Sequence, residues 1–429
     1  MRPSFVALRQ HNFRLWAAAN LVSVTGSWMQ VLGMNWLVLS ATGSPARMGV
    51  AVLLQALPVL VLGPFGGALA DRLPARPTLV VTQAVYALLA LAMAVSSSTG
   101  VGGLAAIYAI TFLSGVVAAL DGPAMGRFGS TVVAPEHLGN ALALGSMVNS
   151  AGRIVGMSLG GVLVAVLGPA PLFLARAISI APIIAALFGM RASALVDLVP
   201  HKVSENAFKA VRTGFRYVRA EPLVLMAFAL AFVLGSLGRN YQVTMGAMVA
   251  GPLESGAGGY GALSTAFAVG GVLGGLIAAA RRDMSYRFLA GIGLAGSVLQ
   301  VASGLMPSLW TFGAMMVFIA ATAVIIDTVV ATRVQLDTRG DMRGRMLALL
   351  TVTGSLAGAI GAPLLGWMSE TLGARGSLVI AGVVCAAACV GAGLALKRVT
   401  GLSPAAAPTP IPQTPIPSPV GQLAAAAAR

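Results

Sequence analysis

The chain alternates between long apolar runs and short polar stops. With Gly, Pro and charge clusters read as stops, twelve runs emerge. They lie near 13–40, 48–70, 78–98, 102–122, 138–167, 172–190, 223–250, 259–280, 287–305, 309–332, 345–372 and 376–396. Each is near the length of about 20 residues that a helix needs to cross about 30 Å of hydrocarbon. Helix is the element expected throughout, because such a run in lipid must satisfy its own backbone hydrogen bonds. The pattern predicts an all-α membrane protein with twelve transmembrane helices. The first run is too long and too late for a secretory signal, and no A-x-A-like cleavage site follows it.

The polar stops divide the chain. The longest is "RASALVDLVPHKVSENAFKAVRTGFRYVRAEP", residues 191–222. Within it, 203–220 predicts an amphipathic helix, with Phe208, Val211, Phe215 and Val218 at spacings of three and four. Lys209, Arg212, Arg216 and Arg219 surround that stripe, which suits a helix lying at the membrane surface. The expected organisation is a six-helix bundle at 1–190, a linker at 191–221 and a second bundle at 222–398. From 399 to 429 the chain is Pro-rich and reads as an extended, disordered tail, either passive or a docking motif for a partner.

The halves repeat. A shift of 205 residues lays "GNALALGSMVNSAGRIVGMSLGGVLVAVLG" on "GRMLALLTVTGSLAGAIGAPLLGWMSETLG", with Gly139, Gly156, Gly161 and Gly168 on Gly344, Gly361, Gly366 and Gly373. Likewise "DGPAMGR" ends the fourth run and "DTVVATR" ends the tenth. Two pseudo-symmetric bundles of six spans are one way in which secondary transporters are built.

Composition agrees with a membrane protein: 57% of the 429 residues are hydrophobic, 9% are charged, and the mean hydropathy is +0.89. The net charge of +15 would suit nucleic acid, but its distribution does not. With the N-terminus inside and the runs alternating, only Arg47 and Arg375 of the Lys and Arg fall outside, and Arg153, Arg176 and Arg239 lie within spans. That positive-inside pattern places both termini in the cytoplasm and attracts anionic lipid headgroups. Cys385 and Cys389 sit one turn apart in the last run, and His11, His137 and His201 have no ligand spacing, so no metal and no cofactor are expected. There is no G-x-x-x-x-G-K-[ST] to suggest ATP use.

One short stop carries unusual chemistry. "FGGALADRLPARP" joins the second and third runs and holds Gly67, Asp71, Arg72 and Arg76. Topology alone explains the arginines but not the acid. A carboxylate at the membrane surface can face the positive N-terminus of a helix in the other half, a contact of about 0.3–1 kcal/mol. The spacing resembles the signature loop of the major facilitator superfamily, with Pro74 and Ala75 at two positions where the family usually has Gly and a base. The resemblance implies that Asp71 latches onto the start of span eleven, near Gly344, when the inner gate closes. "GRIVGMSLGG" resembles the antiporter signature of span five, with Met157 at the Pro position. Its Gly152, Gly156, Gly160 and Gly161 serve tight helix packing. The N-terminal 40 residues, "RNYQV", "GYGALSTAFAVGGVLGG" and "RGDMRGRMLALL" extend the likeness to the drug:proton antiporter-3 branch, which includes macrolide and enterobactin exporters. That resemblance implies two six-helix bundles and export from the cytoplasm. An acid often follows the Gly of span one in that branch; here Gly26 is followed by Ser27.

An ionisable side chain inside a span costs about 2.5–3.5 kcal/mol, so it has either a function or a partner. Arg239, Asn240 and Tyr241 form the first candidate substrate site, with Arg153 and Gln30 beside them. Asp327 and Asp121 are candidates for proton coupling, and pairing that merely locks helices is the alternative. Asp121 has Arg127 available across the turn, and Arg176 is close enough to a span end to snorkel. Two central arginines favour an anionic or carboxylate-bearing substrate. The expected protein is a monomeric, proton-coupled exporter of a drug-like compound or secondary metabolite in the inner membrane, without enzymatic activity. A siderophore exporter, an importer, a lipid flippase and a non-transporting receptor docking through its tail are the alternatives.

Overall fold

The computed structural model describes residues 3–191, 207–281, 283–339 and 342–401. Fourteen α-helices account for nearly all of them, and no strand occurs among the described residues. The first half holds α1 (His11–Thr42), α2 (Pro45–Arg72), α3 (Ala75–Thr99), α4 (Gly103–Thr131), α5 (Leu138–Leu167) and α6 (Ala170–Gly189). A surface helix, α7 (Ala207–Ala220), follows. The second half holds α8 (Pro222–Leu237), α9 (Tyr241–Ala250), α10 (Gly256–Ala280), α11 (Tyr286–Gly304), α12 (Leu309–Leu336), α13 (Arg343–Thr371) and α14 (Gly373–Gly401).

Every apolar run is helical over most of its length, the seventh being split in two, and local chemistry sets the turns between them. Gly43, at φ 63°, ends α1 and donates to Leu39 O, and Ser44 then caps α2 by accepting from Arg47 N, with Pro45 in the first turn. Ser308 and Thr311 form a capping box at the start of α12.

Among the described residues, ten helical stretches are long and apolar enough to cross a bilayer, with α8 and α9 together forming one of them. The remaining two expected spans are α1 and α11, which fall outside that set. Both bury polar side chains against neighbouring helices: Asn12, Ser23 and Asn35 in α1, Ser297, Gln300 and Ser303 in α11. Such groups lower the hydropathy of a span without exposing it to lipid.

Within the first half α1 packs on α5 and α6, α2 on α4, and α3 on α4 and α6; within the second, α10 packs on α12 and α11 on α12 and α14. The halves meet along two seams, α2 with α13 and α5 with α10. Repeated glycines allow repeated close approaches. A Cβ on Gly66 would meet Ala119 O in α4, and one on Gly274 would meet Ala321 in α12. Gly67, the glycine of the loop motif between the second and third runs, faces open space.

The amphipathic helix starts at Ala207, and 203–206 lie outside the described residues. Val218 is buried against the protein, and Phe215 is 61% exposed. Gly214, against Met346, is the residue that seats α7 on α13. At the other end α14 continues to Gly401, past the expected start of the tail; 402–429 lie outside the described residues.

Candidate functional site

The run "LGSLGRNYQV" does not make one continuous helix. Residues 238–240 are non-helical, so the span breaks into α8 and α9. A break frees backbone carbonyls that need donors when water is excluded. Gln300 in α11 donates through Nε2 to Leu237 O at 2.9 Å. Asn240 turns back, and its Nδ2 donates to Ser236 O at 2.8 Å and Gly235 O at 3.3 Å. Asn240, read from the sequence as a substrate group, therefore closes the break. Tyr241 is buried with its ring 5.2 Å from that of Phe267. Arg239 is the member of the triplet whose charge reaches open space, and it forms an ion pair with Asp327 of α12. Both side chains keep substantial exposure, 32% for Arg239 and 49% for Asp327. A small cavity opens beside them, lined also by Gly296, Ser297, Gln300 and Thr322.

The first half solves the same problem differently. Asp121 in α4 accepts from Thr82 Oγ1 at 2.6 Å and Gln83 Nε2 at 2.9 Å, both on α3. Arg127 does not pair with it. Six residues along a helix turn the side chain about 240° away, and Arg127 Nη1 instead donates to Asp71 O at 3.0 Å and Leu73 O at 3.3 Å, capping the end of α2. Arg176 does not snorkel. It is 5% exposed, donates to Ser23 O and Oγ at 3.0 Å, and lies over the Tyr86 ring at 5.5 Å. Gln30 faces a small cavity inside the first half, with Gln55, Thr111 and Ser114.

Arg153 lies on the α5–α10 seam. Its guanidinium sits over the Trp28 ring at 5.9 Å, and Nη2 occupies the space beside Gly271, where a Cβ would lie only 2.6 Å away. No carboxylate pairs with Arg153, and its buried Nε has no hydrogen-bond partner among the described residues. Gly271 also touches Val324, one turn from Asp327 on α12. Arg153, from the first half, thus reaches the space beside Gly271 of α10, which also adjoins Val324, three residues before Asp327 in α12. Gly152 and Gly156 pack α5 on Val24 and Trp28 of α1, a Cβ on Gly160 would lie 3.4 Å from Met29 Cα, and Gly161 meets the backbone of Gly261 in α10.

The two ends of the seam differ. At the end remote from the Asp71 loop the halves are closed. Gly161 lies on Gly261, Gly49 on Ala362, Asn35 Nδ2 donates to Gln242 Oε1 at 3.0 Å, and Trp36 stacks on Tyr260 at 5.9 Å. Glu370, at the end of α13, accepts from the Ser44 hydroxyl and from Ala46 N at 3.3 Å. At the other end Asp71 and Arg72 are exposed, and Asp71 makes no side-chain contact with α13 among the described residues. Arg76 rests on the Phe188 ring at 5.8 Å. A cavity of about 390 Å³ opens there between α1, α4 and α5, with Trp16, Asn20, Ser146 and Asn149 in its wall.

Sequence reasoning missed Thr82, Gln83, Arg176, Gln300 and Glu370. Gln83 and Gln300 had a visible signal, an amide inside an apolar run. Glu370 had none, since an acid at a span end reads as ordinary loop chemistry.

This architecture is shared with solved transporters. A bacterial homolog of the human lysosomal transporter Spinster, in an inward-facing and unoccupied conformation, superposes with a TM-score of 0.72 at 15% identity over 94% of this chain and all of that one. A bacterial homologue of the iron transporter ferroportin, inward-facing, gives 0.69 at 15% identity over 89% and 98%. In sequence, the MFS-type transporter YfiS of Bacillus subtilis is 26% identical over 83% of this chain and 87% of its own length. The enterobactin exporter EntS of Salmonella choleraesuis is 26% identical over 86% and 88%. The family described as transmembrane secretion effector matches residues 2–422. A pair of helical halves that meet on glycine seams, a broken span with an ion pair beside the break, and a family match over nearly the whole chain lead to one assignment: the chain belongs to the transmembrane secretion effector family of major facilitator superfamily transporters, multi-pass membrane proteins that are not enzymes.

Proposed function

We propose that the protein exports a small drug-like compound or secondary metabolite that bears an acidic group, by alternating access and in exchange for protons. The observation that carries the reading is Arg153: a cation at mid-span, on the seam between the halves, with a buried Nε and no carboxylate partner among the described residues. A desolvated cation of this kind is complementary to an anionic group that arrives with the substrate. Its position near Asp327 gives the substrate a second point of attachment, a hydrogen-bond donor or cation facing that carboxylate. The similarity to the enterobactin exporter EntS makes a siderophore or similar anionic metabolite the leading specific substrate class.

In this reading the basic end faces the cytoplasm, with both termini there and the protein in the inner membrane, as the charge distribution predicts. The division into 1–190, 191–221, 222–398 and 399–429 serves two rocking bundles and their connections. The conformation described here is then open inward. Gly67, Asp71, Arg72 and Arg76 form a gate that engages α13 when that side closes. Lipids and a monomeric transporter complete the picture.

The test is transport in inverted membrane vesicles. An imposed proton gradient should drive substrate uptake in wild type, and Arg153→Gln should lose at least about tenfold, the size expected when one charge-assisted contact is removed. Uptake into right-side-out vesicles alone would make the protein an importer, and lipid scrambling in the absence of other substrates would make it a flippase. Removing 402–429 should leave transport intact; its loss would favour the docking role for the tail. A cytoplasm-only reporter should be active after Arg398 and silent at Glu254.

A further inference from the structure

We propose that Arg176 and Asp121 are a fixed charge pair joined through Tyr86, and that Arg176 is a positioning residue which binds α1, α3, α4 and α6 into one unit and keeps Asp121 out of proton exchange. The pairing stands by itself. Its consequence for proton exchange rests on the transport reading above.

More than four residues from a helix end, the first half carries Tyr86, Tyr108, Asp121, Arg153 and Arg176 as its ionisable side chains. Arg153 lies on the seam with α10, and Tyr108 donates to Arg47 O at 3.0 Å in the first turn of α2. Asp121 and Arg176 are thus the opposite charges within this bundle. A charge in such a place is costly unless another compensates it.

Four helices bring the two together. Asp121 of α4 accepts from Thr82 Oγ1 and Gln83 Nε2 of α3, both on Oδ1. Tyr86 follows these residues by four and three positions, so it continues the same face of α3. The Arg176 guanidinium of α6 lies over the Tyr86 ring at 5.5 Å, a cation–π contact. Its Nη1 donates to Ser23 O and Ser23 Oγ of α1, each at 3.0 Å. A Cβ on Gly26, one turn further along α1, would overlap Ser179 of α6, so the two helices are pressed together at this level. Ser179 Oγ in turn donates to Arg176 O at 2.8 Å.

The charges do not touch, and no direct ion pair joins them. Each nevertheless reaches the other electrostatically, and both reach Tyr86. The second half is arranged for the opposite behaviour. Arg239 and Asp327 meet directly and stay partly exposed, so an arriving group can take the place of either partner. Arg176 is 5% exposed and anchored on the backbone of α1, while Asp121 is anchored on two neutral donors of α3. A substrate group finds no direct contact here to replace, and neither charge is released during the cycle. The arrangement leaves Asp327 to carry the proton.

The experiment combines a double-mutant cycle with infrared difference spectroscopy, both on the full-length protein in mild detergent at neutral pH. Arg176→Gln and Asp121→Asn should each lower the thermal midpoint, by about 5 °C, because each leaves a charge without its partner. The double variant Arg176→Gln, Asp121→Asn should melt above Arg176→Gln alone, since no lone charge remains. Recovery of folded protein by the double variant, where Arg176→Gln alone fails to fold, gives the same answer. Losses that simply add would overturn the pairing. The infrared arm reads the carboxyl group itself, which packing alone would not move. The difference between wild type and Asp121→Asn should show no protonated-carboxyl band. The difference between Arg176→Gln and the double variant should show one. Arg176→Lys keeps the charge without the forked contact to Ser23, and it should keep Asp121 ionised. A protonated Asp121 in wild type or in Arg176→Lys would overturn the proposal. So would an ionised Asp121 in Arg176→Gln. Transport of protons is measured in neither arm, so failure of the exchange reading would leave both results standing.

Discussion

Glu370, in the last turn of α13, accepts hydrogen bonds from the Ser44 hydroxyl and the Ala46 amide at the first turn of α2 in the opposite half. A carboxylate of one bundle thus sits on the helix N-terminus of the other, where the macrodipole favours it. The loop motif predicts the same kind of contact at the far end of the same helix pair, between Asp71 at the end of α2 and the start of α13. One contact is made while the other is open. In the proposed cycle the pair α2–α13 has a latch at each end, and the two cannot both close if the bundles rock about the middle.

Glu370→Gln keeps the shape and loses the charge. A contact of this kind is worth about 0.3–1 kcal/mol, so the balance between conformations should shift about two- to fivefold toward opening at the Ser44 end. Maleimide labelling of a cysteine placed at Met48, buried in the closed seam, reports this directly. Asp71→Asn should shift the balance the opposite way and slow transport. Labelling that is unchanged in both variants would remove the latches from the mechanism.

The glycine seam makes a steeper prediction. Gly161 and Gly261 are in backbone contact across α5 and α10, with no room for a Cβ on either. Gly261→Val should prevent closure at that end, leaving an expressed protein with almost no transport and with position 48 fully labelled. Normal transport by Gly261→Val would mean that the seam never closes this tightly in the working cycle.

Much of this architecture was legible in the sequence, because a span must be about twenty apolar residues long and the stops are Gly, Pro and charge. The twelve runs, the repeat and the glycine packing of α5 rest on such local rules. What was not legible depends on partners far apart in the chain. The break at 238–240 was invisible because it is stabilised by Gln300, about sixty residues on, as well as by Asn240. Arg176 was assigned to the surface by its distance from a span end, yet Ser23 and Tyr86 of other helices hold it inside. Arg127 was paired with Asp121 by nearness in sequence, while the helical turn aims it at the end of α2. Arg239 was recognisable as a mid-span charge, but its partner Asp327 was not.

The break itself yields a stability prediction. Gln300→Leu leaves Leu237 O without its donor in a buried position, which costs about 1–3 kcal/mol. Asn240→Leu removes the donors to Gly235 O and Ser236 O at similar cost. Both variants should lower the thermal midpoint of the purified protein, and Gln300→Glu should lower it too, because a carboxylate offers no donor to the carbonyl. A midpoint equal to wild type in Gln300→Leu would mean that water or a rewound helix satisfies the carbonyl.

In the proposed proton exchange, the ion pair between Arg239 and Asp327 would constrain how protons and substrate are coupled. If an acidic substrate group binds Arg239, it displaces Asp327, and the freed carboxylate takes up a proton more readily. Substrate and proton then bind together, which describes symport. If a donor or cationic group of the substrate binds Asp327, it competes with the proton, which describes exchange. Export against a gradient driven by inward proton flow needs the second arrangement, so Asp327 should contact a substrate donor while Arg153 holds the acidic group. Linkage then fixes the sign of the pH dependence: substrate binding should weaken as pH falls, by up to about tenfold per pH unit where Asp327 titrates. Asp327→Asn should abolish this dependence and substrate-induced proton release while still binding substrate. Asp121→Asn should do so only weakly, since Asp121 is held by Thr82 and Gln83 and has no paired arginine to release. Equilibrium binding across pH in proteoliposomes decides the matter. Binding that tightens as pH falls, or a pH dependence that survives in Asp327→Asn, would refute exchange at this carboxylate.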